Sequence, residues 1–285
     1  MMELSDIRKE IDAVDAEIKE LFQKRMQLAD EVAKVKAETN DAIYKPDREM
    51  AIIDNQSVGL DKSIKQEYKA LIKRVMEISR KYQYGRTLEL RDCLEVDYKT
   101  TEPAINKVAM LKGEVYLAEG ISRDKINAYN THDELAASII NGESDAGLGV
   151  MENIGVDVSD GLHKILINNN LYINKCDIIK DDNNRLKVVT YTPNLIVLPE
   201  HNRLKVMFIC KNSSGSLASI LSMISDYDVN LTEIHSKPYI DGDWNYVFSI
   251  EMTASLLVKE DRALIYQLMN ESDEFKILGS YYCED

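Results

Sequence analysis

Residues 4–38 carry apolar side chains on an alternating four-three spacing: Ile7, Ile11, Val14, Ile18, Leu21, Leu28, Val32 and Val35. The pattern predicts one long helix with a heptad seam, begun by Ser5 as cap and Asp6 as first-turn acid. A seam of this length needs a partner. One slot on it, between Leu21 and Leu28, holds Arg25. A guanidinium on a packing seam costs several kcal/mol unless an anion meets it. Two arrangements meet that demand: a buried Arg–Glu pair with another helix, or an anionic ligand in a site built between helices.

Arg8 and Lys36 are four whole heptads apart and project from the same side of the rod. At a rise of about 1.5 Å per residue, Arg8 lies about 25 Å from Arg25 and roughly 42 Å from Lys36, whereas Arg25 and Lys36 are about 16 Å apart. The last two can grip one small molecule. Arg8 of the same chain cannot join them, but Arg8 of a second copy packed antiparallel can.

The chain has 285 residues, enough for two or three domains with real cores. Its net charge of −14 argues against nucleic acid as a partner. The charge is uneven: residues 1–85 carry 16 Lys+Arg against 17 Asp+Glu, the remainder 19 against 32. Small anions must therefore be collected in a local basic pocket. There is no run of 18 apolar residues and no signal-peptide profile at the start, so no membrane partner is expected. Cys93, Cys176, Cys210 and Cys283 show no CxxC spacing, which points away from a zinc site or a disulfide framework. A cytoplasmic protein is the expectation.

After a loop at residues 40–46, Pro46 suits a helix start; a second helix is expected over 47–58, ended by Gly59. A third begins near 61 or 62 and ends around 82–85, with Tyr68, Leu71, Ile72, Val75, Met76 and Ile78 toward the core. Residues 1–85 thus read as a three-helix unit. Ser79 and Gln83, four apart, share a face of the third helix, and Arg48 and Glu49 follow Pro46 on the second. Singly, these are residues any exposed helix carries. Together, Arg8, Arg25, Lys36, Arg48, Glu49, Ser79 and Gln83, in this order on three helices, resemble the all-helical chorismate mutase family over residues 4–83. One departure is Lys45, where several family members have an acid.

The resemblance implies an intertwined dimer that rearranges chorismate, a dicarboxylate, to prephenate with no cofactor, metal, nucleophile or proton transfer. It implies that Arg25 and the second chain's Arg8 clamp the carboxylates, assisted by Arg48 and Ser79. Lys36 and Gln83 would donate to the breaking ether oxygen, and Glu49 would accept from the ring hydroxyl.

Residues 86–106 read as a connector and 107–200 as a small α/β domain. Strands are expected at 107–111, 115–118, 145–151 and 171–179, and helices at 131–140, capped by Thr131, and 158–167. Asp133-Glu134-Leu135, Gly142-Glu143-Ser144-Asp145-Ala146-Gly147 and Glu152-Asn153 resemble the first lobe of prephenate dehydratase. That family's Pro-Ile-Glu-Asn-Ser reads Val150-Met151-Glu152-Asn153-Ile154 here, and Thr192-Pro193-Asn194 stands where Thr-Arg-Phe is usual. About a hundred residues fall short of two lobes. The resemblance therefore implies a shortened, degenerate domain without dehydratase activity.

Residues 201–285 read as strand, helix, strand, strand, helix, strand, at 204–210, 217–226, 229–237, 245–252, 259–270 and 275–282. Gly215 lets a backbone approach a ligand at a helix N-terminus. Ser214-Gly215-Ser216-Leu217, Asn230-Leu231-Thr232 and His235-Ser236-Lys237-Pro238 resemble the ACT domain of prephenate dehydratases, which senses phenylalanine through Gly-Ala-Leu and Glu-Ser-Arg-Pro motifs. Ser216, His235 and Lys237 depart from that pattern. The resemblance implies phenylalanine as effector, held by Gly215, Ser216, Leu217, Asn230, His235, Ser236, Lys237 and Pro238.

Over nearly its whole length the chain resembles the bifunctional chorismate mutase–prephenate dehydratase family, with the middle cut down. The resulting expectation is a chorismate mutase of phenylalanine biosynthesis, a homodimer or larger homo-oligomer, regulated through an ACT domain. One rival is a truly bifunctional enzyme. Another is a non-catalytic, amino-acid-sensing dimer, for which a cation on the seam has no use.

Overall fold

The structure, a computed structural model, describes residues 3–181, 184–210, 214–238 and 246–284. They form two compact units, Met1–Glu95 and Val96–Asp285.

The first unit contains α1 (Leu4–Thr39), α2 (Pro46–Gln56) and α3 (Lys65–Leu90). Helix α1 starts one residue before Ser5, so Glu3 takes the cap position without a side-chain bond, and Asp6 lies in the first turn. Within the chain, α1 packs on α3 through Ala29, Ala33 and Ala37, small residues at four-residue steps that let two helices approach. The heptad seam is not part of that contact: Ile11, Val14, Leu21, Leu28 and Val35 are each more than half exposed. No residue from 3 to 24 is buried.

Helix α3 runs past Gly85 to Leu90, five residues further than the sequence predicts. A glycine inside a helix costs about 1 kcal/mol. Offsetting contacts lie just beyond it: Arg86 pairs with Asp30 of α1 at 2.9 Å and with Glu89 at 2.7 Å, and Thr87 is buried. Leu71, expected in the core, is exposed; the buried face is Met76, Ser79, Arg80, Gln83, Tyr84 and Thr87.

Among the described residues the second unit is one ten-stranded sheet with four α-helices. In chain order its elements are β1 (Val108–Leu111), β2 (Ile126–Tyr129), α4 (His132–Ile140), β3 (Ala146–Asn153), β4 (Asp157–Val158), α5 (Asp160–Asn169), β5 (Tyr172–Asp181) and β6 (Asn184–Thr192). Then come β7 (Arg203–Cys210), α6 (Ser216–Asp226), β8 (Leu231–Pro238), β9 (Tyr246–Met252), α7 (Lys259–Glu271) and β10 (Asp273–Tyr281). The strand order is β2-β1-β3-β6-β5-β10-β7-β9-β8, with β4 paired to β3. Strands β2, β1 and β3 are parallel and connected through α4, whose N-terminus is fixed by a Thr131–Glu134 capping box.

Three strands, β2, β4 and β6, were not expected. The strand expected at 115–118 is instead a 3-10 helix, Lys112–Leu117. Leu117 and Ala118 are buried beside Val108, Met110 and Leu148, and the Glu114 carboxylate accepts from the Val150 backbone N–H at 3.3 Å. The segment thus lies over β3 rather than pairing as a strand.

The last six elements show the expected strand-helix-strand-strand-helix-strand order, with β10-β7-β9-β8 antiparallel throughout. Asn245, expected to open the fourth of them, lies outside the described residues. Strand β10 also pairs in parallel with β5, Gly279 opposite Ile173. A Cβ at Gly279 would sit 2.3 Å from the Ile173 carbonyl oxygen, so this junction requires glycine.

Strands β3 and β8 stand six positions apart, roughly 29 Å in a flat sheet at the usual spacing of about 4.8 Å. Yet Glu152 on β3 is 3.7 Å from His235 on β8. The sheet therefore curls back on itself and closes on charged side chains. Lys187 of β6 lies 2.7 Å from Glu233 of β8 and also pairs with Glu251 of β9; Lys205 of β7, fully buried, pairs with Glu233.

Candidate functional site

In the first unit, Arg25 turns from α1 toward α3. Its Nη1 donates to the Ser79 hydroxyl and, at 3.2 Å, to the Val75 carbonyl. One turn on, the Gln83 amide donates to the Ser79 carbonyl at 3.2 Å, while its Oε1 is buried without a hydrogen-bond partner among the described residues. Lys36 lies near the far end of α1, and its Nζ donates to the Ile43 carbonyl of the α1–α2 loop at 2.9 Å. Glu49, on the first turn of α2, is close enough that its charge is felt at both Arg25 and Lys36.

Burial dominates the electrostatics of the two cations. It pushes the Arg25 guanidinium below its ordinary pKa against the opposing pull of Glu49. It lowers the Lys36 ammonium likewise, with Lys45 and Arg48 adding to the shift and Asp41 and Glu49 opposing it. Cations partly stripped of water and held on uncharged acceptors gain more from an anionic ligand than solvated ones do.

Arg25, Lys36, Glu49, Ser79 and Gln83 thus share one neighbourhood, with Arg48 exposed at its rim. Arg8 does not belong to it: it is exposed on the first turns of α1. The buried Arg–Glu pair that the seam allowed for Arg25 does exist, but with another arginine. Arg80 of α3, missed in the sequence, is buried, pairs with Glu49 and lies over the Tyr44 ring at 4.7 Å. Its only signal is its place beside Ser79, which a solvated arginine would share.

In the second unit, Gly215 adopts a left-handed conformation (φ 84°) ahead of α6, with Ser216 and Leu217 on the first turn. Cys210 and Pro238 both pair with Tyr246, which places the end of β8 at the same edge of the sheet as that turn. Asn230 lies at the opposite end of β8, on a cavity of about 400 Å³ between Leu221, Ile224 and Val229. The His235 side chain faces Glu152 and Glu233, and Lys237 pairs with Asp160; Ser236 is exposed. Glu152, Glu233 and His235 bring three ligand atoms within 4.8 Å of one another, a spacing a metal ion could use. Glu233 is already held by two ammonium groups, however, so a cation there would meet Lys187 and Lys205. Charge balance favours the ion cluster.

Comparison with known proteins agrees with this division. Residues 7–84 match the model of the family "Chorismate mutase type II". A bifunctional chorismate mutase/prephenate dehydratase from Aquifex aeolicus is 21% identical over 99% of this chain and 98% of its own length. That alignment spans 362 positions, so the relative carries segments with no counterpart among these 285 residues. A structure of prephenate dehydratase from Arthrobacter aurescens with L-Phe superimposes with a TM-score of 0.52 at 13% identity, over 62% of this chain and 90% of that one. GqqA, described as a novel type of quorum quenching acylase, gives 0.54 at 17% identity, over 63% and 96%. Those two likenesses speak to fold alone. The helical unit thus matches the chorismate mutase type II family, and the chain as a whole is similar to the bifunctional chorismate mutase/prephenate dehydratase of Aquifex aeolicus.

Proposed function

We propose that the helical unit converts chorismate to prephenate in phenylalanine biosynthesis in the cytoplasm, as a homodimer whose sites are shared between chains. The observation that carries this reading is the convergence of Arg25, Ser79 and Gln83 with Lys36 and Glu49 around one partly desolvated, cationic neighbourhood. The reaction needs a flexible dianion held in a reactive conformation and negative charge met on the ether oxygen. Arg25, with Ser79, is suited to a carboxylate, and the partner chain's Arg8 completes the clamp with Arg48. Lys36 and Gln83 are donors for the ether oxygen; Gln83 donates at any pH. Glu49 accepts from the ring hydroxyl. The exposed seam of α1 supports the dimer, since a rod with no buried residue over its first 22 positions is not stable alone.

The second unit acts as an ACT-like regulatory module joined to a reduced dehydratase-like lobe. Its strand order and the Gly215 turn support the first part, and the segments present only in the Aquifex aeolicus relative support the second. Phenylalanine is the effector to test, as the Arthrobacter aurescens enzyme was solved with it. The deciding experiment supplies chorismate to purified protein. Prephenate should accumulate, and Lys36→Ala should lower kcat by about a hundredfold, the usual loss of one preorganised donor. Wild-type turnover in folded Lys36→Ala protein would sink the site. Phenylpyruvate above the non-enzymatic background would establish the bifunctional alternative.

A further inference from the structure

Arg80 stands one position after Ser79, about 100° around α3, and so leaves the face that carries Ser79 and Gln83. It is nonetheless buried, and it meets Glu49 and Tyr44 from outside α3. Its Nη1 donates to Glu49 Oε2 on α2, and its guanidinium lies 4.7 Å above the Tyr44 ring in the α1–α2 loop. The residue before Tyr44 is Ile43, whose carbonyl receives Lys36. Two cations from two helices therefore grip adjacent residues of one loop, and one of them also holds Glu49.

The carboxylate so held is the negative group felt by both Arg25 and Lys36; the other carboxylate acting on Lys36, Asp41, is itself paired with Lys45. A substrate bearing two carboxylates is repelled by a free anion there, and attracted once that anion is matched. We infer that Arg80 is a positioning residue of the mutase site: by pairing with Glu49 it cancels the carboxylate that would oppose a dianionic substrate and fixes the direction in which that carboxylate accepts. The inference rests on the mutase reading and deepens it. Arg80 does not touch substrate; it acts through Glu49, and through Tyr44 on the loop that orders Lys36.

The test is a double-mutant cycle on steady-state kinetics of the full chain with chorismate. Arg80→Leu should raise KM about tenfold or more while kcat stays within about threefold, because the loss falls on binding of the charged substrate. In a Glu49→Gln background the same change should move KM by less than about threefold, since the anion that Arg80 cancels is gone. Arg80→Lys, which keeps the charge, should stay within about threefold of wild-type KM. If Arg80→Leu does not fold, Arg80→Gln makes the same comparison. An equal rise in KM with and without Glu49, or no rise at all, overturns the role given to Arg80. Wild-type protein that leaves chorismate unchanged overturns the mutase reading instead, so the two failures are told apart by the first measurement.

Discussion

A shared site can be tested by mixing two inactive proteins. Helix α1 is continuous from Leu4 to Thr39, so the 17-residue step from Arg8 to Arg25 places them about 25 Å apart along the axis. No arginine side chain spans that distance, and a pocket containing both must draw them from two chains. Arg8→Ala and Arg25→Ala should each lose about 3 kcal/mol of transition-state stabilisation, which leaves about 1% of activity or less. Neither change should cost much stability within one chain, because Arg8 is exposed and Arg25 rests on a hydroxyl and a carbonyl that water can also serve. Co-expression with random pairing makes about half the dimers mixed, each with one doubly damaged pocket and one intact pocket, so about a quarter of wild-type activity returns in the mixture and about half in isolated heterodimers. The assay is chorismate consumption by heterodimers isolated through two different affinity tags. If each pocket is built from one chain, both pockets of the heterodimer stay damaged and activity remains at the parental level. That result would refute the antiparallel pairing and the placement of Arg8 in the site.

Three further outcomes are expected. Glu233→Gln leaves Lys205 buried beside a neutral amide and should destabilise the second unit by about 3–5 kcal/mol in urea, whereas Lys205→Met with Glu233→Leu should be close to neutral. The same unit should weaken in acid. Burial pushes His163 down to about 4, and Lys205 and Lys187 overcome the burial of Glu233 to bring it to about 2, so the unfolded chain binds more protons in both cases. Stability is then lost first as pH falls from 6.5 toward 4 and again from 4.5 toward 2; a urea midpoint flat across pH 7 to 3 would contradict this. Gly279→Ala should cost about 3 kcal/mol or more, because the new Cβ meets the Ile173 backbone, with amide exchange rising first in β5 and β10. Phenylalanine should shift the thermal transition of the full chain through the Gly215 turn and the end of β8; no heat and no shift with any aromatic amino acid would leave that module structural only.

What could be read in the sequence follows from where the information sits. The four-three repeat of α1 is local, so the helix and its apolar seam were legible residue by residue, and the structure leaves that seam exposed. Arg25, as the exception on that seam, was legible as the residue that turns toward α3 and Ser79. Arg80 was not legible, because an arginine beside Ser79 looks the same whether it meets water or Glu49, and the difference lies 31 residues away. The 3-10 helix at Lys112–Leu117 was misread as a strand since two apolar pairs over four residues satisfy either form. Lys205 shows the limit most clearly. In β7 it alternates with Leu204 and Val206, a pattern that reads as a solvated face, yet it is wholly buried. Its counter-ion is 28 residues off, and only the strand register brings the two together, since both stand in the same cross-strand row as Glu251 of β9.

The closing of the sheet on itself changes how the second unit can move. Ten strands in an open row would let the lobe around β1–β3 and the module around β7–β10 sway about the single β5–β10 seam. A row whose far side chains are tied across by Lys187, Glu233, Glu152 and His235 behaves as a hoop. A hoop has no free hinge: opening it anywhere means separating charges within it. A small molecule that straightens or tightens β8 must therefore be felt at β3 and β6 without passing along the sheet. The lobe around β1–β3 is the far wall of that hoop, and a pull on β8 is registered against it.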